Sequence, residues 1–208
     1  MRSDLSIWIM TATFVTSAPH LEGCPDWDLA EFALIGRSNS GKSSLLNLLA
    51  GNSKLARVSA TPGATQMINF YQTDEGWSLV DLPGYGFSKT SQAVRDGFQA
   101  AVSGYLVGRT NLRCVLVLID SRHGPQAIDL EFCEWLAAAG RRFALVFTKI
   151  DKSKPAQVRS NVDAFLAALA KVCDGTPRTF LTSSNVPLKL SGRNPILDFV
   201  RLTLAAGE

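Results

Sequence analysis

Residues 36–43 read Gly36-Arg37-Ser38-Asn39-Ser40-Gly41-Lys42-Ser43 and satisfy the phosphate-loop pattern G-x-x-x-x-G-K-[ST] at every position. The flanks fit it. The apolar run Glu31-Phe32-Ala33-Leu34-Ile35 reads as a strand, and Ser44-Leu45-Leu46-Asn47-Leu48-Leu49-Ala50 reads as a helix start. This arrangement dictates much of the fold. Glycines let the backbone approach closely, so that successive N–H groups point at phosphate oxygens. The helix N-terminus adds the positive end of its dipole. In such a loop Lys42 reaches the β- and γ-phosphates, and the Ser43 hydroxyl binds Mg²⁺.

Two further patterns narrow the ligand. Asp81-Leu82-Pro83-Gly84 follows the apolar run 77–80, so a strand ends in an acid and a glycine. A carboxylate there can hold Mg²⁺ through water, and the Gly84 N–H can reach a γ-phosphate. Thr148-Lys149-Ile150-Asp151 ends the apolar run 143–147. Asp151 could accept hydrogen bonds from guanine N1–H and its 2-amino group, whereas adenine would leave the carboxylate unpaired. The Lys149 stem can lie flat over the base. These readings make GTP and GDP the expected ligands.

Strand and helix patterns alternate, which predicts a mostly parallel sheet with helices on both faces. Strands are expected near 31–36, 67–73, 76–81, 113–119, 142–148 and 178–183. The second and third are joined by the hairpin turn Thr73-Asp74-Glu75-Gly76, so one edge strand of the six should run antiparallel. Helices are expected near 42–51, 92–108, 126–140, 155–172 and 194–205, with Pro155 in a first turn and Gly140 at a helix end. Residues 52–66 and 82–91 fit neither period. They read as loops ordered by the γ-phosphate and Mg²⁺. Thr65 is the candidate for the threonine that contacts both, with Thr61 as the alternative.

The motif order resembles the translation-factor-related GTPases, and within them the EngB family of ribosome-biogenesis GTP-binding proteins, in the TrmE–Era–EngA–EngB group. The resemblance rests on GRSNSGKSSLLN (36–47), TPGATQMINFY (61–71), DLPGYGFS (81–88), TKID (148–151), the pair Ser183-Ser184, and Phe14-Val15-Thr16-Ser17-Ala18-Pro19. It covers roughly residues 14–204. Two features depart from the family pattern: Ala64 stands where Arg is usual, and the stretch Asn185–Asn194 is longer. The resemblance implies a P-loop NTPase of the Ras-like G-domain class over 14–208, with 1–13 as an N-terminal extension. It implies a nucleotide site made by Gly36, Arg37, Ser38, Asn39, Ser40, Gly41, Lys42, Ser43 and Ser44. Gly63, Ala64, Thr65, Asp81, Leu82, Pro83, Gly84, Thr148, Lys149, Ile150 and Asp151 continue it, and Thr182, Ser183 and Ser184 form its guanine loop. Ser43, Thr65 and Asp81 are the implied Mg²⁺ residues, and Lys42, Thr65 and Asn39 the implied catalytic ones.

Ras-like proteins place a Gln directly after D-x-x-G; here that position is Tyr85. A phenol cannot position water as an amide does, and an aromatic ring there is expected to point away, so slow intrinsic hydrolysis follows. Related potassium-dependent GTPases use an Asn at the place of Asn39, which implies K⁺ as a further ligand. The resemblance also implies a role in assembling the large ribosomal subunit, and through it in growth, cell division and septation.

Composition fits this picture without demanding it. The 208 residues suit one α/β domain, and the formal net charge is +3. That charge permits RNA contact but does not require it. Cys24, Cys114, Cys133 and Cys173 are far apart with no C-x-x-C, which reads as reduced thiols in a cytosolic protein. The N-terminus loosely imitates a signal peptide, but Asp4 spoils its positive region and Ser and Thr interrupt its apolar run. No run approaches the roughly 20 apolar residues of a membrane span. A cytoplasmic monomer that does not touch membranes is expected. Two other classes compete. A phosphate-loop small-molecule kinase needs an acceptor site and an Arg-rich lid, and a division-type membrane GTPase needs a basic amphipathic anchor that 194–205 lacks.

Overall fold

A computed structural model of the chain describes residues 10–56, 67–85 and 92–207. Its element order is β1 (Ala12–Ala18), β2 (Glu31–Gly36), α1 (Lys42–Leu49), β3 (Ile68–Thr73), β4 (Ser78–Asp81), α2 (Gln92–Gly108), β5 (Leu112–Asp120), α3 (Ala127–Ala138), β6 (Phe143–Thr148), α4 (Pro155–Leu169), β7 (Thr179–Leu181) and α5 (Arg193–Ala205). The strands form one sheet in the order β1-β3-β4-β2-β5-β6-β7.

β4, β2, β5, β6 and β7 run parallel, and β3 is antiparallel to both of its neighbours. The sequence predicts six strands; the sheet has seven. The addition is β1, which covers the free edge of β3 and pairs Ala12 with Thr73 and Ala18 with Ile68. The register shifts between Phe14 and Thr16, and such a bulge blurs the alternation by which a strand is read. Met10 already packs in the core ahead of β1.

The central strands are apolar on both faces because both faces are covered. Phe32 and Leu34 of β2 point to one layer, with Leu46 and Leu49 of α1 and Ile196 and Val200 of α5. Ala33 and Ile35 point to the other, with Tyr105 of α2, Cys133 and Leu136 of α3 and Phe165 of α4. Cys114, Cys133 and Cys173 are buried thiols, and Cys24 is free as well.

Two buried charges brace the frame. Glu31, at the start of β2, accepts from Trp27 Nε1 at 2.7 Å, Tyr105 Oη at 2.7 Å and Arg109 Nη2 at 2.6 Å. Arg193 opens α5 and donates to the Leu48 and Leu49 carbonyls at the end of α1, at 2.9 Å each. A cation there adds donors to the carbonyls at the helix end and complements its negative pole. The brace fixes α1, whose other end opens at Lys42.

Candidate functional site

β2 delivers the chain to a tight loop, and α1 starts at its far side. Asn39 holds a left-handed backbone conformation at φ 63°, and Gly41 holds one at φ 101°. That turn aims the start of α1, with Lys42, Ser43 and Ser44, at the carboxyl edge of the sheet. The first amides of a helix have no acceptor within it and remain available to an anion. Thr148, at the end of β6, supports the loop from beneath: its Oγ1 donates to the Ser40 carbonyl at 2.6 Å.

The acid-and-glycine turn sits directly on this loop. A Cβ on Gly84 would lie 2.7 Å from the Gly36 carbonyl oxygen, and one on Gly36 would lie 2.6 Å from the Leu118 carbonyl oxygen. Both are closer than packed atoms tolerate, so each position requires glycine. Leu82 N–H donates to the Leu34 carbonyl at 3.0 Å, and Tyr85 N–H donates to the Gly36 carbonyl at 3.3 Å. The Gly84 Cβ position lies 3.6 Å from Lys42 Nζ. Asp81 ends β4, and burial pushes its carboxyl up to about 6, with Lys42 pulling the other way. Ser38 Oγ, Ser40 Oγ and Asp81 Oδ1 are buried without a hydrogen-bond partner among the described residues. Unsatisfied buried oxygens are rare in folded chains and call for a ligand.

On the other side of the loop, Lys149 also takes a left-handed backbone, at φ 59°. Its ammonium donates to Asp120 Oδ2 at 2.8 Å and to the Asn39 carbonyl at 2.5 Å. Burial raises the Asp120 carboxyl, but hydrogen bonds from Arg122 and Lys149 outweigh it and hold the group well below the usual carboxylate range. Asp151 accepts from Ser183 Oγ at 2.6 Å and from Asn185 Nδ2 at 3.3 Å. The Ser183 bond, above all, pulls its carboxyl down to about 2, so it is an ionised acceptor at neutral pH. Ile150 N–H donates to the Thr182 carbonyl at 3.3 Å, which ties the two loops together. A cavity of about 190 Å³ lies between Gly41 and Ser44 on one side and Thr148, Lys149, Ser183 and Ser184 on the other.

Residues 36–44, 81–84, 148–151 and 182–184 therefore converge along the carboxyl ends of β2, β4, β6 and β7, where open α/β sheets bind ligands. Gly63, Ala64, Thr65 and Thr61 lie outside the described residues. Asp120, Asp129 and Asn185 belong to the site's surroundings and were not among the predicted residues. Asp120 carried a signal: like Asp81, it is an acid that closes a long apolar strand.

A phosphate loop, an acid-and-glycine turn on the adjacent strand and a T-K-x-D loop beside it define a P-loop GTPase domain. The family model described as "50S ribosome-binding GTPase" matches residues 31–149. A probable GTP-binding protein EngB of Christiangramia forsetii is 43% identical over 192 residues, covering 92% of this chain and 96% of the relative. Another, from Cytophaga hutchinsonii, is 46% identical over 175 residues, covering 84% and 88%. A crystal structure of a probable GTP-binding protein engB shares the fold with a TM-score of 0.67 at 20% identity, covering 85% of this chain and 100% of that one. Era in complex with MgGDPNP and nucleotides of 16S ribosomal RNA shares it with a TM-score of 0.63 at 21% identity, covering 83% and 55%. The chain belongs to the EngB family of GTP-binding proteins, and it is a GTPase. Among the described residues, no helix is long and apolar enough to cross a membrane.

Proposed function

We propose that this GTPase is a slow molecular switch that acts in assembly of the large ribosomal subunit, as a cytoplasmic monomer. The observation that carries the proposal is the match to a family described as 50S ribosome-binding, spanning the phosphate loop through T-K-x-D. The mildly basic charge of +3 is compatible with an RNA-rich partner.

In this reading, Gly36–Ser44 cradle the phosphates, Lys42 neutralises the β- and γ-phosphates, and Gly84 senses the γ-phosphate. Asp151 and the 182–184 loop select guanine, with the Lys149 stem over the base. Magnesium fits the corner beside Lys42. The buried Asp81 carboxylate offers an unpartnered hard oxygen at Oδ1, and such donors suit the ion. Ser43 and Asp81 would hold it, together with Thr65, which lies outside the described residues. When bound, it offsets charge shared between the β- and γ-phosphates. Potassium beside Asn39 would add a further positive charge there. Tyr85 takes the place of a water-positioning amide, and its hydroxyl faces α3. The chain therefore lacks that amide for orienting the attacking water, which supports slow hydrolysis.

Co-sedimentation with ribosomal particles tests the role. The chain is loaded with a GTP analogue, GDP or no nucleotide at two salt concentrations. The GTP form is expected to travel with large-subunit particles, more weakly at high salt because released counterions drive RNA contacts. The GDP form and Thr65→Ala are expected to associate less. Equal association in all three nucleotide states defeats the switch, since a partner that binds both states equally shifts nothing.

A further inference from the structure

The segment that leaves β5 carries a carboxylate at each end. Asp120 serves the base side. Asp129, in the first turn of α3, is 1% exposed and faces the phosphate loop. Its Oδ1 accepts from Tyr85 Oη at 2.8 Å. Arg37 Nε lies 3.2 Å from the same oxygen and 3.1 Å from Oδ2. Arg37 is the second residue of the phosphate loop, and Tyr85 is the first residue past the acid-and-glycine turn. Their backbones form a β-bridge. One buried acid thus gathers a side chain from each of the two elements that flank the γ-phosphate position.

The contact extends outward through stacked rings. Tyr85 lies 4.5 Å from Phe132 at an interplanar angle of 25°, and Phe132 lies 5.9 Å from Trp135 at 26°. Trp135 is 36% exposed. A displacement of residue 85 therefore disturbs the surroundings of a surface indole.

We propose that Asp129 is a positioning residue for the GTPase: it clamps Tyr85 to Arg37 and so holds the Asp81–Gly84 turn seated on the phosphate loop. The physics favours a clamp over an isolated contact. Burial pushes the Asp129 carboxyl above its ordinary range, while the Tyr85 hydrogen bond and the Arg37 guanidinium pull the other way; the bond from the guanidinium is charge-assisted and about twice as strong as a neutral one. Removing the acid strands a half-buried phenol and a guanidinium together, so neither donor is indifferent to its loss. An acid near a helix N-terminus also stabilises that helix. A purely structural role of that kind predicts lower stability with unchanged turnover, which separates the two accounts.

The proposal rests on the reading of Gly84 as the γ-phosphate contact, and the experiment keeps the two apart. The full chain is compared with Tyr85→Phe, Asp129→Asn, the double variant and Gly84→Ala. Single-turnover GTP hydrolysis, affinity for a fluorescent GDP, and the change in Trp135 emission between GDP and a non-hydrolysable GTP analogue are measured. Trp135→Phe identifies the indole's share of the signal. Tyr85→Phe and Asp129→Asn are each expected to slow hydrolysis about tenfold while GDP affinity moves less than about twofold. The double variant should be no slower than the slower single one, because both break the same contact. The nucleotide-dependent change in Trp135 emission should shrink in both. Tyr85→Phe keeps the ring and its stacking, so it decides the matter even where Asp129→Asn fails to fold. Wild-type turnover and emission in Tyr85→Phe overturn the clamp, as do additive effects or an equal loss of GDP affinity. Wild-type turnover in Gly84→Ala overturns instead the reading of the site on which the clamp rests.

Discussion

Asp120 offers a direct test of how the base side of the site is built. Its Oδ2 accepts from Lys149 Nζ at 2.8 Å and from Arg122 Nη2 at 2.7 Å, while its Oδ1 accepts from Arg122 Nε at 2.9 Å. Asp120→Asn keeps the shape and preserves one carbonyl for Arg122. The new amide places a donor where two cationic donors now converge. The Arg122 side chain is 42% exposed, so its pairing is screened and its loss is worth about 0.5 kcal/mol. The Lys149 side chain is only 26% exposed, and Asp120 8%, so the full strength of a charged hydrogen bond, about 1.5–3 kcal/mol, is more nearly at stake. Lys149 retains its bond to the Asn39 carbonyl, which favours the lower end. Taking about 1.4 kcal/mol per decade, GTP and GDP affinity should each fall about tenfold in Asp120→Asn, and by less than about threefold in Arg122→Ala. Titration with a fluorescent guanine nucleotide reads both. The folded-state acid is held below the ordinary carboxylate range. Its contribution is therefore complete above the unfolded value and is lost only as pH falls through the folded one, so the effect should be flat from pH 8 to 5. An Asp120→Asn chain that binds within twofold of wild type would show that Lys149 needs no such anchor.

Lys42→Ala removes a charge-assisted phosphate contact of about 1.5–3 kcal/mol, so GTP affinity should fall about ten- to a hundredfold in the same titration. Asp151→Asn should trade guanine for xanthine preference, because xanthine has a carbonyl where guanine has an amino group; competition among GTP, ATP and XTP measures it. With the Asp151 carboxyl held down to about 2, its stabilising contribution is present above the unfolded value and fades as pH falls toward 2. Guanine preference should therefore not change between pH 8 and 5. Hydrolysis should run faster in potassium than in sodium at equal ionic strength, and Asn39→Ala should erase that difference; equal rates in the wild type would remove Asn39 from the chemistry.

What could be read in advance was what short stretches of chain determine by themselves. The phosphate loop, the D-L-P-G turn and the T-K-I-D loop each specify a backbone path through a few adjacent residues, and the structure brings all three together. The buried strands showed as apolar runs because both sheet faces are covered. β1 had no such signature. Phe14 and Val15 are 51% and 43% exposed, and the strand exists through its pairing with β3 across a bulge. Asp129 was equally silent, since its meaning comes from Arg37, 92 residues away, and Tyr85, 44 away. Asp120 meets Lys149 across 29 residues. A carboxylate's role depends on what tertiary structure places beside it, and spacing along one chain does not carry that information.

Such pairings, some distant and some local, shape the charge around the site. Arg37 is held by Asp129, Lys149 and Arg122 by Asp120, and Lys152 by Asp151 at 3.1 Å. Lys42 differs from these cations: its charge acts on Asp81 from within the phosphate loop. Burial pushes that carboxyl up to about 6, against the pull of Lys42. Lys42 and the N-terminus of α1 together place positive charge at one point of the site. That arrangement favours binding a phosphate chain at one place. The guanidinium of the loop's own Arg37, by contrast, is paired. Arginine stabilises phosphoryl transfer strongly when it can reach the transferring group, and Arg37 is committed to Asp129. The same acid both seats Tyr85 and holds the loop's own arginine, so Asp129→Asn unseats the turn as it frees Arg37, and the slower hydrolysis expected of that variant requires that the lost seating outweigh the freed cation.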